Sequence, residues 1–502
     1  MKQNENIEIP SKDTETRETE KIGDPSSDTD AEKAEDEVFR NYIEEPGEND
    51  GEERKPTPQK RTTILKTGLL ISKAMIGSGL LNVPFIFRTF GIFFGLIASA
   101  FLNFVTVLGI YFLIRCKDIT QRYSYAVYSK LTMGLTGSLI CKIAVIIRSF
   151  TLCCVLLKIL GKIIRTLLLI FFNEYRDKFY MNAEFLLVVF SILITPIMLQ
   201  KDFSGVAKFT FLGIYSILFL IFSLIVLFLF KIAQNEIKPL ETQMLYTSGD
   251  FFKKFKCFGS YLNAYLFQVN CFPIYLPLHP RNSKNMMKST LLGTIFSSAI
   301  YISFGIIGFI VYRYDINDTL LTYLGDDLIK YLKTNKPMGA LLIVFELAFI
   351  ANTTISTMMN FFVGKSNLIN LVKFLMRYVR QKRREQNNGQ QLEDLDEKGI
   401  SLKSNEVQEH DLSDFNQTLI ALFAYLIVVF VGYASENIIS IDNFNGSTVN
   451  NFLSVMLPAL FFIIISRKKP FSFEKLLAIF MCLFSLCLVT GFLLINFTNI
   501  FA

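Results

Sequence analysis

Of the 502 residues 51% are hydrophobic, and the mean hydropathy is +0.38; apolar stretches of about 20 residues recur, which excludes an ordinary soluble globule. The formal charge of +7 hides two opposed parts, because residues 1–60 hold 19 acidic against nine basic side chains, a net of −10 that leaves +17 on the remainder. The expected surroundings are a lipid bilayer, with no nucleic-acid partner.

Residues 1–61 are rich in Glu, Asp, Thr and Ser and nearly free of apolar periodicity. Such a segment does not offset its ordering entropy, so an acidic, disordered cytosolic tail is expected. Its start lacks the basic-then-apolar pattern of a signal peptide. Residues 62–502 form the membrane domain, with an expected cytosolic loop at 364–416.

Hydropathy places spans near 64–87, 90–114, 137–160, 183–200, 205–232, 257–278, 289–312, 337–363, 417–434, 447–465 and 474–496, so the expected fold is an all-α polytopic membrane protein with 11 transmembrane helices. The first span is interrupted by Gly77, Ser78 and Gly79, followed by Leu80, Asn82 and Pro84. A helix broken there offers backbone donors at the start of its second half, which suit a carboxylate, and carbonyls at the end of its first half, which suit a cation. Small residues also let a neighbouring helix approach closely, and for the glycines alone both readings stand. Lys73 lies one turn before the break. An intramembrane Lys marks a functional site by default, at an insertion cost of roughly 2.5 to 3.5 kcal/mol.

Arg148 sits in the middle of the third span and Glu346 in the eighth. A structural ion pair between them is the favoured expectation, with a substrate or proton role as the sharper one. The basic stretch between Lys158 and Lys178 contains the apolar run IIRTLLLIFF and is read as an extension of the third helix. Gln268 and Asn270 lie inside the otherwise apolar sixth span, with Pro273 just after, so a second break is expected there.

With the tail in the cytosol, Arg and Lys accumulate on the cytosolic loops. The N-x-S/T sequons at Asn317, Asn445 and Asn496 then fall on the extracytosolic side, together with the C-terminus. Eight cysteines show neither a disulfide framework nor metal-ligand spacing, and the two histidines, His279 and His410, lie in loops. No nucleophile and base constellation supports an enzyme, no repeated pore supports a channel, and no cofactor is expected.

KTGLLISKAMIGSGLLNVPFIFRTFG resembles the first helix of the amino acid/auxin permease family. FQVNCFPIYLPL with RNSKNMMKST resembles the sixth helix and following loop of its sodium-coupled neutral amino acid transporters, and GSTVNNFLSVMLPALFFI resembles the tenth helix. The resemblance implies a 5+5 inverted-repeat, leucine-transporter-like core with broken helices 1 and 6 facing each other. It also implies a secondary active transporter of neutral amino acids in a plasma membrane or a vacuolar or lysosomal one.

On that resemblance Gly77, Ser78, Gly79 and Leu80 take the substrate carboxylate, with Gln268 and Asn270 reading the amino group and side chain. Thr354 and Ser356 match hydroxyls that the family places opposite the first break. Where the family has an Asn that helps to coordinate sodium, this chain has Lys73. An ammonium there repels or replaces sodium, which favours proton coupling or ion-independent exchange over a sodium ion. The alternative is a Lys that snorkels to the cytosolic interface. A transporter-like amino acid sensor signalling through the tail is the rival function, and nothing in the sequence fixes the oligomeric state.

Overall fold

The computed structural model describes residues 62–123, 125–200, 210–237, 239, 241–246, 251–313, 316, 320–395, 413–435, 438–467, 470 and 472–501. The expected disordered tail at 1–61 lies outside the described residues, as do His410 and the sequon at Asn317.

Among the described residues the chain is all-α, apart from one isolated parallel bridge between Thr62 and Leu278. The first span is α1 (Ile64–Met75), a 3-10 turn over Ser78–Asn82, and α2 (Val83–Phe90). The Thr63 side chain caps α1 by accepting from the Lys66 amide, and Pro84 begins α2, where its missing N–H has no helical partner to lose. α3 (Ile92–Thr120) follows, then α4 (Tyr125–Phe171), which kinks at Gly134, a glycine with φ of 66°. The run after Lys158 does continue the same helix, to Phe171.

Next come α5 (Ala183–Met198), α6 (Thr210–Ala233) and the single turn α7 (Thr242–Leu245). The sixth span is α8 (Phe251–Tyr265), a 3-10 turn over Gln268–Asn270, and α9 (Cys271–Tyr275). α10 (Ser283–Tyr312) leads to α11 (Leu320–Thr334), an amphipathic helix between the spans that hydropathy marks at 289–312 and 337–363. α12 (Lys336–Leu395) runs far past the expected end of the eighth span at 363, so the first part of the expected 364–416 loop is helix. Its Lys, Arg, Gln and Glu residues are good helix formers and no proline interrupts them.

The chain ends with α13 (Asp414–Ala434), then α14 (Ile438–Phe444), two π-helical turns (Asn445–Val449 and Phe452–Met456) and α15 (Leu457–Ile465), and finally α16 (Phe473–Phe501). Among the described residues eight helices are long and apolar enough to cross a membrane, or nine if the bent pair α1 and α2 is taken as one span. Outward faces carry side chains such as Phe430 and Leu494, 69% and 66% exposed, as lipid contact demands. This is a multi-pass membrane protein.

The two interrupted spans lie inside the bundle. α1 and α2 pack on α10, α8 packs on α14, and α4 packs along α12. α11 is pinned by ion pairs: Lys231 of α6 reaches Asp327 at 2.7 Å, and Lys330 reaches Glu236, just beyond α6, at 2.7 Å.

Candidate functional site

The two breaks face each other. In the first span the helical ladder stops when the Ile76 amide closes on Ser72 and Gly77 leaves helical geometry, and the halves meet at 61°. In the sixth, α8 stops at Tyr265, and the Asn270 amide closes a short turn on Phe267 at 2.8 Å. Gly79 brings them together: a Cβ built there would lie 2.7 Å from the Ala264 Cβ. Only glycine lets the backbone come this close. At Gly77 a Cβ meets no atom within 4 Å, so the chain there borders open space.

Tyr301 of α10 pins the junction. Its hydroxyl lies 2.8 Å from the Met75 carbonyl and 2.8 Å from the Ala264 carbonyl, the last turns of α1 and α8. One proton is shared by two acceptors that lost their helical partners to the breaks. The sequence reading assigned such carbonyls to a cation; here a phenol takes up both.

Lys73 does not snorkel. It is 7% exposed, and its Nζ donates to Asn352 Oδ1 at 2.5 Å and Ser356 Oγ at 3.3 Å, both on α12. A Cβ on Gly213 of α6 would touch its Nζ at 2.9 Å, so the ammonium rests where three spans meet. Positions 352 and 356 share a helix face, whereas 354 is turned about 200° away. Thr354 Oγ1 accordingly has no contact with Lys73 and no hydrogen-bond partner. Asn352 and Gly213 are the site residues missed in the sequence; the signal for Asn352 was an amide in an apolar span, four residues before Ser356.

Among the other expected site residues, the Leu80 amide is engaged with the Gly77 carbonyl through a long 3.4 Å bond, and the Leu80 side chain is buried. Gln268 is turned toward α3, with its Nε2 3.5 Å from the Thr106 carbonyl and its buried Oε1 unpartnered, so it is not brought against Gly77–Leu80. Asn270 is half-buried at the second break.

The expected Arg148–Glu346 pair does not form. Arg148 Nε donates instead to Asn450 Oδ1 at 2.8 Å, and Glu346 Oε2 is buried without a partner. The register of α4 against α14 and the following turns decides this, and 302 residues of chain separate the partners. The Asn445 sequon is also corrected: this asparagine is 1% exposed inside the tenth span, where no glycan can be attached. Among the described residues no group of three or more His, Cys, Asp or Glu is placed to hold a metal ion.

The profile of the transmembrane amino acid transporter protein family matches residues 60–501. The chain belongs to that family. A curated member-like relative is the amino acid transporter AVT6C of Arabidopsis thaliana, 21% identical over 251 residues that make up 48% of this chain and 57% of the relative. The chain thus matches little more than half of that relative's length. Among solved structures, a sodium-coupled sialic acid symporter captured substrate-bound and outward-open is similar over 86% of this chain and 89% of its own, with 13% identity and a TM-score of 0.45.

Proposed function

We propose that this family member moves amino acids across a membrane by alternating access around the paired breaks. The observation that carries the reading is the close approach of two interrupted spans at Gly79 and Ala264, five spans apart in the chain. Broken helices in corresponding positions of two halves are the mark of a substrate site at mid-membrane. The same spacing supports a 5+5 inverted repeat of eleven spans, in which α5 and the α8–α9 pair count as crossings.

In this reading the Ser78 and Gly79 amides and the open space beside Gly77 receive the substrate carboxylate, and Asn270 lies beside the amino group and side chain. Gln268 acts from behind by holding the second break against α3. A neutral amino acid fits best, since the Lys73 ammonium is already engaged by Asn352 and Ser356 and the Asp442 carboxylate by Asn82, Ser260 and Asn263. The same engagement supports sodium-independent operation, with a proton as the coupling ion. The tail faces the cytosol and the C-terminus the opposite side.

Uptake of a labelled amino acid panel into proteoliposomes, with imposed sodium or proton gradients, tests the proposal. Saturable uptake into the lumen is expected. Binding without uptake would replace the transporter by an amino acid sensor.

A further inference from the structure

Asp442 on α14 is a carboxylate inside the tenth span and 0% exposed. Among the described residues no cation lies at ion-pair distance from it. Its donors are neutral: Asn82 Nδ2 reaches Oδ2 at 3.2 Å, Asn263 Nδ2 reaches Oδ1 at 2.7 Å, and the Ser260 hydroxyl donates to Oδ2. These donors come from the two broken spans, Asn82 from the end of the turn that contains Gly79, and Ser260 and Asn263 from α8.

A chain of amides runs on to a charge. Asn450 Nδ2 donates to Asn263 Oδ1 at 2.7 Å, and Asn450 Oδ1 accepts from Arg148 Nε. Every donor in the line points from the guanidinium toward the carboxylate, which spreads the Arg148 charge across two amide dipoles to Asp442. The guanidinium reaches the carboxylate only through two amides, so the carboxylate is not locked into the charged form as in a direct pair.

One more atom completes the picture. Asn82 Oδ1 is buried with no partner, on the same amide whose nitrogen serves Asp442. When Asp442 takes up a proton, its O–H needs an acceptor, and a half-turn of the Asn82 amide supplies that oxygen. The amide thus has two settings, donor to the anion and acceptor from the acid, and it ends the broken segment of the first span.

We propose that Asp442 is the proton-accepting site of the transport cycle and that Asn82 transmits its state to the first break. This rests on the transport reading, but its first test does not require flux. Among the described residues the charged and titratable groups facing Asp442 are Arg148 from α4, through the two amides, and the Tyr301 phenol from α10, which feels the Asp442 charge and is fixed on Met75 and Ala264. On α8 the Tyr261 hydroxyl is paired with Ser99, and Lys254 lies over the Phe94 ring.

The first test is an infrared titration of the purified full-length protein between pH 4 and 8, with the proton itself as the probe. The band of a buried carboxylic acid should appear on acidification and be absent from Asp442→Asn. Asn82→Leu keeps the carboxylate and removes both a charge-assisted donor to its ionised form and a weaker neutral acceptor of its acid form, so the midpoint should move up by about one pH unit. An identical titration in wild type and Asp442→Asn, or no such band in wild type, overturns the proposal.

The second test is the ratio of labelled neutral amino acid uptake with an inward proton gradient to uptake without one. This ratio should exceed one in wild type and fall to one in Asp442→Asn. A gradient response kept by the variant refutes the coupling role. Absence of all uptake refutes the transport reading instead, and leaves the titration to decide on Asp442.

Discussion

Gly79→Ala should separate the two broken spans, and the size of the effect follows from the contact it would make. The new Cβ would lie 2.7 Å from the Ala264 Cβ and 3.2 Å from its Cα, whereas carbon atoms rest at about 3.5 to 4.0 Å. The segments must part by roughly 1 Å, an overpacking cost of about 1–3 kcal/mol. That shift also pulls Met75 and Ala264 apart around Tyr301, so one of its two 2.8 Å contacts is lost, at about 1 kcal/mol more.

Gly77→Ala is the control, since its Cβ meets nothing within 4 Å. Its stability should stay within about 0.5 kcal/mol of wild type. Any loss of substrate affinity there reflects the methyl group in the space beside the break. The assay pairs thermal unfolding in detergent with uptake. Combining Gly79→Ala with Ala264→Gly should recover part of the loss, because one of the two clashing atoms is gone. Equal stability of Gly79→Ala and wild type, or equal damage from both glycine substitutions, would refute the close approach.

Lys73→Asn should introduce sodium stimulation into uptake that in wild type persists in choline, because an ammonium about 4 Å from a sodium ion opposes it by roughly 4 kcal/mol at an effective dielectric of about 20; a wild type that requires sodium sinks the assignment. Asn450→Leu should cost about 3 kcal/mol by leaving the buried Arg148 Nε without its acceptor, while Glu346→Gln should be near neutral, and equal losses in thermal unfolding would revive the Arg148–Glu346 pair. Outside the membrane, the hydrogen bond from Lys330 holds the Glu236 carboxyl below its ordinary value of 4.5. Its stabilisation is therefore present above that value and lost as pH falls through the lower folded one. Glu236→Gln should be weaker than wild type by under about 1 kcal/mol at pH 7 and equal to it in strong acid, and a difference that grows on acidification would contradict the sign.

The breaks were legible because their cause is local: glycines and an amide-rich turn followed by proline weaken a helix wherever the chain places them. The same is true of the helices themselves, which follow from apolar runs. What pairs across the bundle was not legible. Lys73 and Ser356 are both legible in the sequence and they meet, but the second contact is Asn352 and not Thr354, because helix phase selects every third or fourth residue and the absolute rotation of α12 is set by packing. Asp442 escaped notice for a related reason. With Asn443 and Asn445 it lowers the hydropathy just before residue 447, so hydropathy starts the tenth span there and leaves the acid outside it. α11 escaped because its apolar face is a stripe, with Leu324 and Leu328 buried, rather than a run.

The polar residues of the tenth span are costly in a bilayer, and the fold offsets that cost by linking them. Asn451 Nδ2 reaches the Ser447 and Ser485 carbonyls, Ser454 donates to Asn450 Oδ1, and Asn450 connects Asn263 to Arg148. The two π-helical turns place these side chains where regular α-helix would rotate them out of line. The tenth span therefore joins the third, sixth and eleventh through hydrogen bonds, while the first is attached to the same network through the single amide of Asn82. The Asn82 amide, which also reaches the Ser260 hydroxyl, is therefore the link through which the proposed protonation of Asp442 acts on α2 and the turn before it.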